Sequence, residues 1–184
     1  MPLPSKEERY TFADMLTWDD DDRWELVDGI AYAMAPPSMP HQGIATELLF
    51  QLRYFLEGKP CKVYSGPGVR LNADTADDTV FIPDIVVVCD HSKVERNAIK
   101  GAPDLVVEIL SPSTSRFDKI TKLEQYEKAG VREYWIVDPV SQTVDTFIME
   151  DGLYNSINTY LTSAVIPVHV LEGCEIDLEK VFAE

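Results

Sequence analysis

The stretch Asp104-Leu105-Val106-Val107-Glu108-Ile109-Leu110 decides the fold, and Pro83-Asp84-Ile85-Val86-Val87-Val88 complements it. Both stretches are short, rich in β-branched residues and bounded by turn-forming residues, which predicts two buried strands. Each stretch also carries a carboxylate, Asp84 in one and Glu108 in the other. An ionised carboxylate on a buried strand is unfavourable unless it is paired, hydrogen-bonded or bound to a metal ion. The two acids are therefore candidates for one functional site.

The rest of the chain predicts a sheet with helices around it. Asp28-Gly29 is a type I′ turn signal between two apolar runs, so the N-terminal part should form a hairpin. A helix between the Glu108 strand and the next strand makes those two strands a parallel unit. The predicted class is α/β (α+β), a central mixed sheet flanked by helices with antiparallel hairpins in the N- and C-terminal parts. The predicted elements are a short helix capped by Thr11, a hairpin over 24–34, helices over 41–56 and 116–129, strands over 61–65, 69–72, 133–138, 143–149 and 164–170, and a last helix over 177–182.

Length and composition fit one domain over residues 1–184, with 45% hydrophobic and 26% charged residues. No apolar stretch is long enough to span a bilayer, and the first residues lack the apolar core of a signal peptide. We therefore expect a cytoplasmic protein with no membrane partner. Cys61, Cys89 and Cys174 show neither the spacing of a zinc site nor a disulfide framework, so we expect reduced thiols.

Net charge constrains the partners of the protein. Lys and Arg number 16 against 32 Asp and Glu, which gives −16. Such a chain repels a phosphate backbone, so DNA binding should be weak, metal-dependent and salt-dependent. Half of the basic residues nevertheless lie between positions 93 and 132, around Glu108, and this region should meet the phosphates. These residues are Lys93, Arg96, Lys100, Arg116, Lys119, Lys122, Lys128 and Arg132.

Two carboxylates suit Mg²⁺ or Mn²⁺. Mg²⁺ prefers oxygen ligands, keeps several waters and is usually held by one or two carboxylates together with a phosphate. Asp84 and Glu108 would supply the carboxylates, and the backbone carbonyl of Ile109 is a natural third ligand. Such an ion lowers the pKa of an attacking water and neutralises charge on the reacting phosphate.

The helix after the Glu108 strand carries lysines that could reach this site. Lys119, Lys122 and Tyr126 are spaced i, i+3 and i+7 and should form one stripe. A packing stripe containing Ile120 and Leu123 should lie beside it. The alternative for Lys122 is an exposed helical salt bridge to Asp118.

Several segments together closely resemble the Uma-type endonuclease family, a branch of the restriction-endonuclease-like, PD-(D/E)xK superfamily. The resemblance runs from about Tyr10 to Leu178 and implies a restriction-endonuclease-like fold, DNA as substrate and Asp84 and Glu108 as Mg²⁺ ligands. The matching segments are Glu25-Leu26-Val27-Asp28-Gly29, Met34, Pro37, Ser38, His41, Pro83-Asp84, 104–113, Asp118, Lys122, Tyr126, Ala129-Gly130-Val131 and 133–139.

One position departs from the superfamily pattern. The superfamily lysine stands two residues after the second acid, where this chain has the apolar Leu110. The lysine is therefore expected from the next helix, as Lys122, with Lys119 in reserve. Glu25 resembles an extra acid found in many superfamily sites, although a plain hairpin residue is an equal alternative. His41 is a phosphate contact, a group behind the metal ligands, or a structural residue at the start of a helix.

The leading hypothesis is a Mg²⁺-dependent DNA endonuclease. One rival is a catalytically silent nuclease-fold module that binds nucleic acid or a protein partner. A second rival is a sugar hydrolase that uses the two acids for general acid–base catalysis. A homodimer is expected because a twofold dimer is the commonest assembly, and the strand over Thr143–Met149 is the candidate surface.

Overall fold

The computed structural model of the protein describes residues 8–18, 23–111 and 118–183, and its strands form two mixed sheets and a short ribbon. The predicted mixed fold class is confirmed. The strands are β1 Trp24–Val27, β2 Ile30–Ala33, β3 Lys62–Ser65, β4 Gly68–Arg70, β5 Val80–Phe81, β6 Ile85–Val88, β7 Ala98–Lys100, β8 Leu105–Ile109, β9 Glu133–Asp138, β10 Thr143–Glu150, β11 Leu153–Leu161, β12 Val165–Pro167 and β13 Glu175–Asp177. The helices are α1 Phe12–Met15, α2 Met39–Phe55, α3 Leu123–Ala129 and α4 Leu178–Val181, with a 3₁₀ turn at His91–Lys93 and a π-helical turn at Asp118–Lys122.

The six-stranded sheet contains both acid-bearing stretches. Its order is β11-β10-β9-β8-β6-β3, and β8 and β9 pair in parallel, as the predicted crossover requires. The connecting helix was expected over Arg116–Ala129. Its described part starts with the π-helical turn and continues as α3, whereas residues 112–117 lie outside the described residues.

The N-terminal hairpin forms a separate sheet rather than an extension of the central one. The five-stranded sheet has the order β2-β1-β5-β4-β7. Among the described strand pairs of this sheet, β4 and β7 are parallel and the others are antiparallel. The turn between β1 and β2 is at Asp28-Gly29, where both residues have positive φ, as the type I′ signal predicts. Within residues 8–18, 23–111 and 118–183, no helix is both long and apolar enough to cross a bilayer.

Side-chain alternation along β8 separates two apolar clusters. Val107 and Ile109 point into a cluster with α2 and the C-terminal elements. Val106 and Leu110 point into the other cluster, which also contains residues of the five-stranded sheet. By the same alternation, Glu108 lies on the face of Val106 and Leu110. Its carboxylate is therefore directed toward the region between the two sheets.

The predicted dimer surface does not lie at the edge of the sheet. The strand expected over Thr143–Met149 is β10, and it pairs with β9 on one side and β11 on the other. The prediction of an exposed strand there is wrong because sequence reasoning missed β11. The available signal was Asp151-Gly152, where both residues have positive φ, as in the first hairpin.

The expectation of three reduced thiols is also wrong for this structure. Cys61 and Cys89 form a disulfide, and Cys174 is a buried free thiol whose pKa is raised to about 11 by burial. The pairing follows from the register of the antiparallel strands β3 and β6, in which Lys62 faces Val88. Cys61, directly before Lys62, therefore faces Cys89, directly after Val88. Disulfides are typical of oxidising compartments and are rare in the cytoplasm. The cytoplasmic location stays a prediction.

We predict that purified, air-oxidised protein contains this crosslink. Unfolded, unreduced protein should titrate with one thiol per chain, that of Cys174, and with three after reduction. The Cys61→Ser/Cys89→Ser double variant should melt at a lower temperature. The bridged residues are 28 positions apart, and closing loops of this order stabilises a protein by about 2–4 kcal/mol. Three thiols before reduction would contradict the pairing.

Candidate active site

Strand register brings Asp84 and Glu108 together. Ile85 of β6 faces Val107 of β8 in an antiparallel pair, so one step further along places Asp84 opposite Glu108. Side chains of directly opposed residues lie on the same face, with Cβ atoms about 5 Å apart. The two acids predicted as a pair are therefore neighbours on the sheet face that looks toward the second sheet.

Asp84 is held by two contacts. Its Oδ2 accepts a hydrogen bond of 2.7 Å from the backbone N–H of Ile109 and lies 3.1 Å from Nε2 of His41. The side chain of Asp84 is 23% exposed, so solvent reaches this carboxylate. The structure thus places Ile109, the predicted carbonyl ligand, directly beside the first acid.

His41 is oriented by the start of α2. Ser38 caps this helix, and its Oγ accepts the N–H of His41 at 3.4 Å. The imidazole is buried, and its Nε2 lies against the Asp84 carboxylate. Of the three roles left open by the sequence, the geometry favours a group that orients Asp84 from behind.

Glu108 is buried and accepts two hydrogen bonds at one oxygen. Its Oε1 receives 2.9 Å and 2.8 Å hydrogen bonds from the Lys122 ammonium and the Tyr126 hydroxyl. Tyr126 is fully buried, and its ring packs against those of Phe81 and Tyr134. Burial, followed by the nearby Glu108 charge, raises the pKa of Tyr126 well above its ordinary value. Tyr126 therefore stays protonated and remains a donor to Glu108 at physiological pH.

Lys122 joins the two sheets. Its Nζ lies 2.9 Å from Oε1 of Glu108 on β8 and also 2.9 Å from Oε1 of Glu25 on β1. The side chain is only 3% exposed, so the alternative of an exposed helical salt bridge is wrong. A buried ammonium held by two carboxylates is stable only while its partners remain in place.

Glu25 belongs to this cluster and is not merely a hairpin residue. Besides the contact with Lys122, its Oε1 accepts the backbone N–H of Ile82 at 2.9 Å. The ring of Phe81 lies under the ammonium, with 5.4 Å between Nζ and the ring centre. Sequence reasoning missed Phe81 and Ile82. Their signal was the apolar run Val80-Phe81-Ile82 directly before Pro83.

The expected stripe of Lys119, Lys122 and Tyr126 is not formed. Lys119 is exposed, and Ile120, assigned to the packing stripe, is 49% exposed. The cause is the π-helical turn at Asp118–Lys122, whose wider winding shifts the register before α3 begins. Lys122 and Tyr126 are four residues apart and both point inward, so Lys122 rather than Lys119 reaches the acids.

The oxygen set suits a hard cation that keeps much of its hydration. Within the described part of the chain, no group of three or more His, Cys, Asp or Glu side chains is arranged to hold a metal ion. Asp84 and Glu108 are a two-carboxylate set, and a backbone carbonyl lies next to them at Ile109. This arrangement fits Mg²⁺ or Mn²⁺ better than Zn²⁺, which favours a closed set of nitrogen and sulfur ligands.

Part of the basic region around Glu108 is engaged in contacts within the protein. Lys100 pairs with Asp74 at 2.5 Å, and Arg132 pairs with Asp104 at 3.0 Å. Lys93 donates a 2.8 Å hydrogen bond to the carbonyl of Ala102. The charges of Lys100 and Arg132 are partly neutralised by these carboxylates, so the region from 93 to 132 offers phosphates less positive charge than its composition indicates.

Comparison with known proteins agrees with the motif resemblance. A model of the Uma2 family, described as "Putative restriction endonuclease", matches residues 12–179. An uncharacterized protein of Synechocystis sp. (strain ATCC 27184 / PCC 6803 / Kazusa) is 30% identical over 139 residues, which cover 74% of this chain and 72% of the relative. A crystal structure from Anabaena variabilis ATCC 29413, described as a "putative nuclease belonging to DUF820", shares the fold with a TM-score of 0.76 and 20% identity, covering 94% of this chain and 97% of that one. The resemblance is confirmed, and the chain belongs to the Uma2 family.

Proposed function

We propose that the protein is a metal-dependent DNA endonuclease in which Asp84 and Glu108 hold Mg²⁺ or Mn²⁺ and Lys122 assists phosphodiester hydrolysis. The family description and the name of the structural neighbour support a nuclease. The observation that carries the proposal is the meeting of Asp84, Glu108 and Lys122 on one face of the sheet. Three different elements supply these side chains: the residue before β6, strand β8 and the π-helical turn.

Each residue has a distinct task in the proposed mechanism. Asp84 is held by the N–H of Ile109 and by His41, so its carboxylate keeps one orientation. Glu108 is held by Tyr126 and Lys122. When bound, the ion would lower the pKa of the attacking water and neutralise charge on the phosphate.

Lys122 would act on the scissile phosphate or on the attacking water. Its second partner, Glu25, lies on the other sheet and keeps the ammonium in the site when Glu108 binds a cation. A positioned ammonium can stabilise negative charge that develops on the phosphate oxygens. The backbone N–H of Ile82 fixes Glu25 in turn, so the position of the lysine is set from both sheets.

The alternatives account for less of this geometry. In a catalytically silent module, the lysine between two acids would only hold the two sheets together, and the partly solvent-exposed Asp84 beside it would have no task. A sugar hydrolase would use two carboxylates without a lysine or a metal ion. Loss of activity in EDTA separates hydrolysis of phosphodiesters at a metal site from both alternatives.

We predict that Mn²⁺ binds between the two central acids. In calorimetric titrations, Asp84→Asn and Glu108→Gln should each weaken Mn²⁺ binding by about 10-fold or more, because each removes an anionic oxygen ligand. Asp145→Asn, an acid on β10 of the same sheet, is the matched control and should bind like the parent. Thermal melts would verify folding. Unchanged Mn²⁺ affinity in both site variants would refute the site.

We predict that Lys122→Met strongly reduces cleavage and lowers stability. Removal of the ammonium leaves Glu25 and Glu108 buried without a counter-charge, which costs about 3–5 kcal/mol for a broken buried pair. Added Mn²⁺ should recover part of the melting temperature, because it supplies positive charge next to Glu108. Cleavage should fall by about 100-fold or more.

Lys119→Met is the matched control for this experiment. Its side chain is exposed one helical turn before Lys122, so both stability and cleavage should stay close to those of the parent. Full cleavage by Lys122→Met together with lost cleavage by Lys119→Met would move the assignment to Lys119.

We also propose that the protein forms a twofold homodimer through β11. This strand is nine residues long and lies at the edge of the six-stranded sheet. Its sequence, Leu-Tyr-Asn-Ser-Ile-Asn-Thr-Tyr-Leu, has no charged residue in a chain of net charge −16. Leu153, Ile157 and Leu161 are each more than half exposed. Edge strands normally carry charges that prevent pairing, so an uncharged edge favours antiparallel pairing with a second copy.

We predict that light scattering after size-exclusion chromatography gives twice the mass of the chain. Ile157→Lys should give a single-chain mass, because two lysines would then meet across the paired strands. Val140→Lys, at an exposed position in the turn after β9, is the matched control and should remain dimeric. A single-chain mass for the parent would refute the dimer, and a dimeric Ile157→Lys would refute this surface.

A further inference from the structure

The candidate site opens to solvent on the Asp84 side. The side chains of Glu25, Glu108 and Lys122 are 6%, 5% and 3% exposed, whereas that of Asp84 is 23% exposed. A polyanionic substrate must therefore approach past Asp84. Because the chain carries a net charge of −16, this approach needs a cation close to the opening.

Strand alternation places Arg23 at this opening. Val27 packs between the two sheets and Glu25 reaches Lys122, so the odd-numbered residues of β1 face the six-stranded sheet. Leu26 packs in a separate cluster on the other face. Arg23 directly precedes β1 and shares the face of Glu25, but its side chain is exposed.

The guanidinium of Arg23 lies over Gly66, next to Asp84. A Cβ at Gly66 would be 3.0 Å from Nη2 of Arg23, and the φ of Gly66 is +59°. Glycine thus permits both the turn and the close approach of the guanidinium. The N–H of Gly66 donates a 3.0 Å hydrogen bond to the backbone carbonyl of Asp84. One residue therefore separates Arg23 from the exposed acid of the site.

We propose that Arg23 binds a backbone phosphate of the nucleic acid at the open side of the site. The inference rests on the proposed nuclease function and names the substrate contact that this function needs. A guanidinium presents a planar set of donors that matches two phosphate oxygens. Gly66, whose N–H donates to the backbone carbonyl of Asp84, lies between these donors and the acid that the scissile phosphate must approach. Arg23 thereby offsets the repulsion that the acidic chain exerts on the substrate.

The test compares DNA binding by Arg23→Ala, Arg23→Lys and the control Arg53→Ala. Arg53 is exposed in the last turn of α2, about 18 Å along the helix from His41. Fluorescence anisotropy would use labelled single- and double-stranded oligonucleotides of mixed sequence, over a range of salt, with Ca²⁺ replacing Mg²⁺. Calorimetry would give the Mn²⁺ affinity of each variant.

Arg23→Ala should weaken DNA binding by about 5- to 10-fold. It should also lower the slope of the logarithm of the binding constant against the logarithm of salt concentration by about one, which is one counterion. Arg23→Lys should restore the salt dependence but only part of the affinity, because an ammonium cannot make the two-oxygen contact. Arg53→Ala should bind DNA like the parent, and all three variants should keep the parent's Mn²⁺ affinity.

Two results would overturn the inference while leaving the proposed function intact. One is equal DNA affinity in Arg23→Ala and the parent. The other is a joint loss of DNA and Mn²⁺ binding in Arg23→Ala, which would mean that Arg23 acts through the position of Asp84. If the parent itself binds neither form of DNA at low salt with Ca²⁺, both the inference and the proposed function fail.

Discussion

The contact of one buried ammonium with two carboxylates is the interaction on which the rest of the site depends. Lys122 lies in the connection between β8 and β9 of the central sheet, Glu108 lies on β8, and Glu25 comes from the N-terminal hairpin. Any one of these charges, buried alone, would be strongly unfavourable. Together they require the two sheets and the intervening helix to adopt one relative arrangement. The charge cluster is therefore a structural constraint as well as a candidate catalytic device.

The same arrangement leaves the cluster with one negative charge in excess, and Asp84 adds another. A divalent cation would balance this excess without displacing Lys122 from Glu25. Tyr126 and the N–H of Ile109 hold the carboxylates from the protein side. These contacts fix the orientation of both carboxylates, and charges held in fixed positions are the condition for effective electrostatic catalysis.

The strand pattern was sufficient to identify the pair of acids, because a charge within a β-branched run has few structural explanations. It also gave the parallel unit around the crossover helix and the first hairpin turn. Local patterns could not predict the positions of side chains that depend on an irregular helical turn or on pairing between strands far apart in the sequence. The π-helical turn reversed the exposure of Ile120, and the Cys61–Cys89 crosslink depends on the register between β3 and β6. The partnership of Glu25 with Lys122 likewise required the packing of two sheets.

The metal site is tested most directly by an anomalous difference map from a crystal soaked in Mn²⁺, measured alongside a crystal of Asp84→Asn. In the parent, we expect a peak within about 2.2 Å of carboxylate oxygens of both Asp84 and Glu108. We also expect that Lys122 still contacts Glu25 and that the variant has no such peak. A parent map with no peak between the two acids under saturating Mn²⁺ would mean that Asp84 and Glu108 do not hold a metal ion.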